Sequence, residues 1–348
     1  MKKKLNVAIV GSGLIATKKH IPSIQKIKNK LNLVAICDQN LELAEEVAAK
    51  FKIDKVYSSL DEMLKNEEID FVDICTPPFT HSDVAIKSLN SGCNVMIEKP
   101  MAITVEECDK IIEAGKINNK KICIAHSDLF YPSFIKARKI IDGGQIGDFK
   151  GMRIFLSTPT SYITNKEDHW ANKLPGGVIG ETGPHLVYMT LAFMKKIKHV
   201  NAFGLKQLKE FPWSPYEDYR IDLIDDEERA SSIVATYSSN QWHATVDVWG
   251  TKGLLTIDLE TMNLNVHKRT SLNKSEVAYS AFASASGLVK DVFSTGINSI
   301  FGSYKNTHDH LIEGFADSII NETPSPVPAE DGKEAVRVMI EIAKGIVK

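Results

Sequence analysis

Two side chains in this sequence combine reactive chemistry with a suggestive setting. Lys99 stands in Glu98-Lys99-Pro100, directly after the apolar run Val95-Met96-Ile97. A lysine fixed by a following proline at the end of a buried strand is not needed for packing. It stands where ligands bind, at the carboxyl edge of a parallel sheet. An ammonium there can orient an oxygen and stabilise negative charge developing on it. His185 follows Gly183-Pro184 and a glycine loop, Gly176-Gly177 to Gly180. An imidazole, with an ordinary pKa of about 6.5, takes or gives a proton near neutral pH. Pro184 suits the first turn of a helix, so His185 is expected at a helix start. The glycines are expected to let a ligand approach the backbone.

A second set of residues points to a nucleotide. Gly11-Ser12-Gly13-Leu14-Ile15-Ala16 follows an apolar run and opens a helical pattern. Gly11 permits a tight turn, Gly13 lets the backbone approach a pyrophosphate, and Ala16 replaces the third glycine of the dinucleotide fingerprint. Amide groups at the next helix start favour an anion. Asp38, at the end of the second strand, can accept hydrogen bonds from a ribose diol. It would repel a 2′-phosphate, and Gln39-Asn40 supplies no cation. NAD is therefore expected in preference to NADP. The alternative for Asp38 is a helix N-cap. Thr76-Pro77-Pro78 ends a further strand, with His81 just beyond. This turn is placed where the nicotinamide half should run, although a proline turn leading into a helix would read the same way.

These residues need a scaffold, and the hydrophobic pattern supplies one. Runs at 5–10, 33–37, 71–75, 94–97 and 122–125 are short and continuously apolar, as strands buried on both faces are. Helical patterns such as 41–50 and 82–91 lie between them. This βαβα rhythm predicts an α/β Rossmann domain, a doubly wound parallel sheet, over residues 1–125. From 126 the rhythm changes. Strand candidates lie at 150–157, 200–208, 219–224, 232–237 and 244–249. Another lies at 254–259, after the hairpin signal Gly250-Thr251-Lys252-Gly253. They predict an α+β domain over 126–348, with one large, mostly antiparallel open sheet and helices on one face. Leu288, Val289, Val292, Phe293, Ile297 and Ile300 form a loose apolar stripe without a basic face, which suits packing or an oligomer contact better than a membrane. Residues 310–320 are amphipathic, and a last helix is expected from Ala329.

Composition narrows the classes of function. The chain has 348 residues, 43% of them hydrophobic and 25% charged, with a net charge of −2. No field draws it to nucleic acid or an anionic membrane. No apolar run approaches the ~20 residues that span a bilayer. The basic start Met1-Lys2-Lys3-Lys4 runs into too short an apolar stretch to read as a leader. The five cysteines, Cys37, Cys75, Cys93, Cys108 and Cys123, are odd in number and lack metal-site spacing. They are expected as buried reduced thiols, which fits a cytoplasmic protein without a structural metal. Asp168-His169 has no third ligand at suitable spacing.

Taken together, these segments resemble the glucose–fructose oxidoreductase / inositol dehydrogenase / rhizopine-catabolism (Gfo/Idh/MocA) family. The resemblance rests on the glycine turn with His20, on Val72-Asp73-Ile74-Cys75-Thr76-Pro77 and on Glu98-Lys99-Pro100. Gly176-Gly177 followed by Gly183-Pro184-His185, Glu313-Gly314-Phe315-Ala316 and Pro326-Val327 extend it over nearly the whole chain. It implies NAD(P)-dependent oxidation or reduction of a sugar, polyol or nucleotide sugar. It also implies a homodimer or homotetramer through the C-terminal sheet. By resemblance Lys99 touches the reacting hydroxyl, His185 is the acid/base group, and both meet one sugar oxygen. Glu181 stands where the family usually has Asp, to bind substrate or orient the imidazole. Glu98 joins Leu14, Ile15 and the residues above at the cofactor. His126, Tyr131, Asp168, His169 and Trp170 are expected to shape the sugar pocket. Leu129 departs from relatives that carry Arg before Phe130. Two other functions stay open on the same scaffold: NAD-assisted glycoside hydrolysis, and a nucleotide-binding regulator without catalysis.

Overall fold

The computed structural model describes residues 4–300 and 305–346, without the side chains of Ala283, Leu288 and residues 290–300. The chain divides into two compact units, one of residues 1–127 and 305–337, the other of 128–304 and 338–348.

The first unit is built on a parallel sheet of six strands: β1 (Leu5–Val10), β2 (Leu31–Cys37), β3 (Lys55–Tyr57), β4 (Phe71–Ile74), β5 (Asn94–Ile97) and β6 (Ile122–Ile124), in the order β3-β2-β1-β4-β5-β6. The order reverses beside β1, and such a switch point opens a crevice at the carboxyl ends of the strands. The register aligns those ends, with Val10 opposite both Cys37 and Ile74, and Ile74 opposite Ile97. Every residue of β4 is buried, as a central parallel strand requires. Short β3, which the apolar pattern does not reveal, adds an edge strand.

Residues 305–337, expected with the second domain, pack with the first unit instead. The helix Thr307–Ile320 starts with a reciprocal cap in which Asn306 and Asp309 satisfy each other's backbone amides. It then presents Leu311, Ile312 and Phe315 as buried side chains. The Phe315 ring meets that of Phe71 edge-on at 5.3 Å. At its margin Lys26 pairs with Asp309 at 2.9 Å, and Lys30 with Glu313 and Asp317 at 3.0 and 2.8 Å.

The second unit holds seven strands: β7 (Phe149–Ser157), β8 (Ile197–Leu205), β9 (Asp218–Asp225), β10 (Ala230–Thr236), β11 (His243–Gly250), β12 (Gly253–Asp258) and β13 (Leu264–His267). Their order is β13-β12-β11-β7-β10-β9-β8. Only the β7–β10 pairing is parallel. A long helix, Lys274–Ile300, follows β13. Of the apolar stripe noted on it, Val289 is exposed; the side chains of the other five lie outside the described residues. Among the described residues, no helix is long and apolar enough to cross a membrane. The five cysteines are unpaired and buried.

Candidate active site

At the carboxyl edge of the first sheet the candidate cofactor residues follow one another in strand order. Asp38 lies past β2, Gly11 to Ile15 past β1, Thr76 and Pro77 past β4, and Glu98 and Lys99 past β5. The two turn glycines are required for different reasons. Gly11 has φ +102°, and a Cβ there would lie 2.7 Å from the Cys75 carbonyl. A Cβ at Gly13 would meet nothing within 4 Å. Packing therefore explains Gly11 but leaves Gly13 unexplained, whereas a pyrophosphate approaching the backbone explains it. Ala16 is buried, as close helix–strand packing demands, and opens a π-helical turn, Ala16–His20. Leu14 is exposed over the turn and Ile15 is half-buried.

Asp38 is not the expected alternative, an N-cap. That role falls to Asn40, whose side chain accepts from the Leu43 amide. Asp38 instead takes the Ser12 amide on Oδ2 at 2.7 Å and the Asn40 amide on Oδ1 at 2.9 Å. It thus joins the glycine turn to the end of β2 and still has lone pairs for a ribose diol. The first unit has the cradle and the acidic partner that a dinucleotide needs.

Two expected cofactor contacts face inward. His81 is fully buried, with Nδ1 on the Pro100 carbonyl at 2.9 Å and Nε2 on the Thr76 carbonyl at 2.8 Å. Burial lowers its pKa against the pull of those carbonyls. The ring lies between the Thr76-Pro77 turn and the cis Lys99–Pro100 turn, away from solvent. Glu98 is buried as well. Its Oε1 lies 2.9 Å from His20 Nε2, and its Oε2 accepts the Lys99 amide at 3.0 Å. His20 Nδ1 lies 2.8 Å from buried Asp73, and the His308 ring stands edge-on to His20 at 5.2 Å. The result is a chain of charge, Asp73–His20–Glu98, beneath half-buried Lys99. Burial alone would raise the Glu98 carboxyl, but the His20 hydrogen bond and charge, with Lys99 and His308, hold it at about 2. Burial alone would lower His20, but Asp73 raises it well above its ordinary value. His20 thus lies between two carboxylates, and it also comes close to His308 beside Glu98 and to Cys75 beside Asp73. Burial pushes the Cys75 thiol up to about 12.

In the second unit His185 is not at a helix start. The helix runs Ile179–Leu191, with Pro184 inside it. It begins earlier than the proline suggests because Gly180 and Glu181 already donate to the Gly177 and Val178 carbonyls. Packing accounts for glycines of the loop that were expected to admit a ligand. A Cβ at Gly177 would meet Pro215 at 2.8 Å, and one at Gly180 would meet Leu174 at 2.7 Å, so the protein's own side chains fill that space. His185 Nδ1 lies 2.8 Å from Asp128 Oδ2 and 2.7 Å from the Tyr188 hydroxyl. Asp128 comes from the short turn Ser127–Phe130 and was not anticipated. The expected orienting group, Glu181, is half-buried one helical turn away and does not hold the ring.

The expected sugar-pocket residues differ in burial. His126 is buried at the end of β6 in the first unit. Tyr131 is half-buried, and Trp170 is exposed and stacked on His169 at 5.7 Å. His169 caps the turn Trp170–Lys173 by accepting the Ala171 amide.

Residues 5–126 match the oxidoreductase family with an NAD-binding Rossmann fold, GFO_IDH_MocA, and residues 134–256 match the GFO/IDH/MocA C-terminal domain. The chain belongs to the Gfo/Idh/MocA family. Its similarity to curated members is modest. It is 30% identical to inositol 2-dehydrogenase of Salmonella paratyphi B, over 68% of this chain and 62% of that one. It is 26% identical to oxidoreductase P35 of Formosa agariphila, over 60% of this chain and 66% of that one. The chain thus spans less than two thirds of the length of these family members. The fold is shared over almost the full length with the WlbA dehydrogenase of Bordetella pertussis, solved with NADH and UDP-GlcNAcA. The TM-score is 0.79 and the identity 18%, covering 99% of this chain and 95% of that one.

Proposed function

We infer that this protein is an NAD-dependent oxidoreductase that transfers a hydride between nicotinamide and a secondary hydroxyl or carbonyl of a sugar, polyol or nucleotide sugar. The observation that carries this reading is the open space at Gly13 beside Asp38, in a row that ends on Lys99. Family membership agrees with it, and relatives are named for inositol and glucoside oxidation.

The backbone at Gly11 to Ile15 holds the pyrophosphate. Asp38 holds the adenosine ribose and favours NAD over NADP. Thr76 and Pro77 border the nicotinamide half. NAD supplies the hydride acceptor when bound. The Lys99 ammonium orients the substrate oxygen and stabilises the alkoxide as the carbon–hydrogen bond breaks. His185 takes the hydroxyl proton at Nε2, its Nδ1 being engaged. Glu181, Tyr131 and Trp170 contribute to the sugar pocket, and a homo-oligomer forms through the second unit's sheet.

The test is to incubate the protein with NAD and a panel of sugars, inositols and nucleotide sugars and to follow reduced cofactor by absorbance. One substrate class should give stoichiometric NADH. Glycoside cleavage without net NADH would assign NAD-assisted hydrolysis instead. NAD binding with no turnover on any class would assign a regulator.

A further inference from the structure

We propose that Asp128, clamped by Tyr188, is the positioning residue that sets His185 for proton transfer. This rests on the reading of His185 as the acid/base group.

Three contacts close a ring among these residues. His185 Nδ1 is 2.8 Å from Asp128 Oδ2, His185 Nδ1 is 2.7 Å from the Tyr188 hydroxyl, and the Asp128 amide donates to that hydroxyl at 3.1 Å. Tyr188 is buried one turn after His185 on the same helix. Asp128 reaches the ring from a separate turn, so the imidazole is held from two directions. A carboxylate only accepts hydrogen bonds. Nδ1 must therefore carry a proton toward Asp128, which leaves the lone pair on Nε2, the nitrogen able to accept from a substrate hydroxyl. When the ring becomes an imidazolium, the same carboxylate faces the new charge. Only 28% of the His185 side chain and 19% of the Asp128 side chain are exposed, so water competes weakly for this bond. This is the work expected of Glu181, supplied by a residue 57 positions away in the chain. A carboxylate that sets a histidine's tautomer without itself taking the proton is a known catalytic device on unrelated folds.

The experiment compares Asp128→Asn, Asp128→Glu and His185→Gln in the full-length enzyme with NAD and the substrate found above. Long-range proton–nitrogen NMR reads the His185 tautomer, with its signals assigned by their loss in His185→Gln. Asp128→Asn should lower kcat at least about 100-fold, with KM for substrate and NAD within about threefold. Asp128→Glu should recover at least about tenfold of that loss. The native ring should carry its proton on Nδ1, and the asparagine variant should shift it to Nε2. Asp128→Asn activity within about threefold of native, or an unchanged tautomer, overturns the proposal. Full activity in His185→Gln overturns the reading of the histidine instead, while the NMR result still decides whether Asp128 controls the ring. Should Asp128→Asn fail to fold, Tyr188→Phe removes the hydroxyl clamp and is read by the same tautomer and kcat criteria.

Discussion

Replacing Glu98 with glutamine should destabilise the first unit by an amount set by the buried charge chain. The substitution keeps the volume and an acceptor for the Lys99 amide, but leaves His20 with Asp73 as its remaining carboxylate partner. Holding the Glu98 carboxyl at about 2 rather than 4.5 corresponds to roughly 3 kcal/mol of stability at pH 7. A carboxyl with a lower pKa in the folded state contributes above its unfolded value and loses that contribution as pH falls through the folded one. The window here runs from about 4.5 down to about 2. The difference between native and Glu98→Gln protein should therefore fall to about half by pH 3. The chain carries its own probes. Its five cysteines are buried in the first unit, and Trp170, Trp213, Trp242 and Trp249 all lie in the second. Urea titration read by thiol exposure to a dipyridyl disulfide, which works in acid and at neutral pH, follows the first unit. Tryptophan fluorescence follows the second. With a urea slope of about 2 kcal/mol per molar, the thiol midpoint should drop by about 1.5 M at pH 7. A drop below about 0.3 M, or a difference that does not shrink between pH 7 and pH 3, would refute the reasoning.

Three further outcomes test the candidate site. Gly11→Ala should cost about 2–5 kcal/mol from positive φ and collision with the Cys75 carbonyl, whereas Gly13→Ala should melt like the native protein but bind NAD at least about tenfold more weakly; equal melting shifts would remove the distinction. Asp38→Ala should weaken NAD more than NADP in fluorescence titrations, and equal losses would argue against the ribose contact. Lys99→Ala should lower kcat by about 10²–10³ while NAD affinity stays within about tenfold, or 1.4 kcal/mol; near-native turnover would remove Lys99 from the chemistry.

Much of the scaffold was legible because buried parallel strands leave continuous apolar runs. Five of the six strands in the first sheet carry such a run. The exception, β3, is three residues beginning with a lysine and has no pattern to read. Short β13, Leu264–His267, alternates apolar and polar residues over only four positions, too few to stand out. The glycine turn, Asp38 and Lys99 were readable because strand ends put them on one edge. What could not be read was which neighbours fill each space. Glycine at 13 faces open space, and glycine at 177 faces Pro215, yet both are the same letter. Asp128 gave no signal because its meaning depends on a contact far along the chain. Glu181 had the favourable spacing, but the groups on His185 Nδ1 are Asp128 and Tyr188. His81 and Glu98 were placed at the correct turns, but their side chains bond inward to carbonyls and to His20.

The nucleotide-binding unit is discontinuous in sequence, closed by a helix that begins at Thr307. On the ribosome the six strands emerge long before Phe315, His308 and the partners of Lys26 and Lys30 exist. At about 5–20 residues per second, the wait through the intervening insertion is on the order of ten seconds or more. During that time Phe71 lacks the Phe315 ring that packs on it in the folded unit. The first unit therefore reaches its full set of contacts only after residues 128–304 have been made.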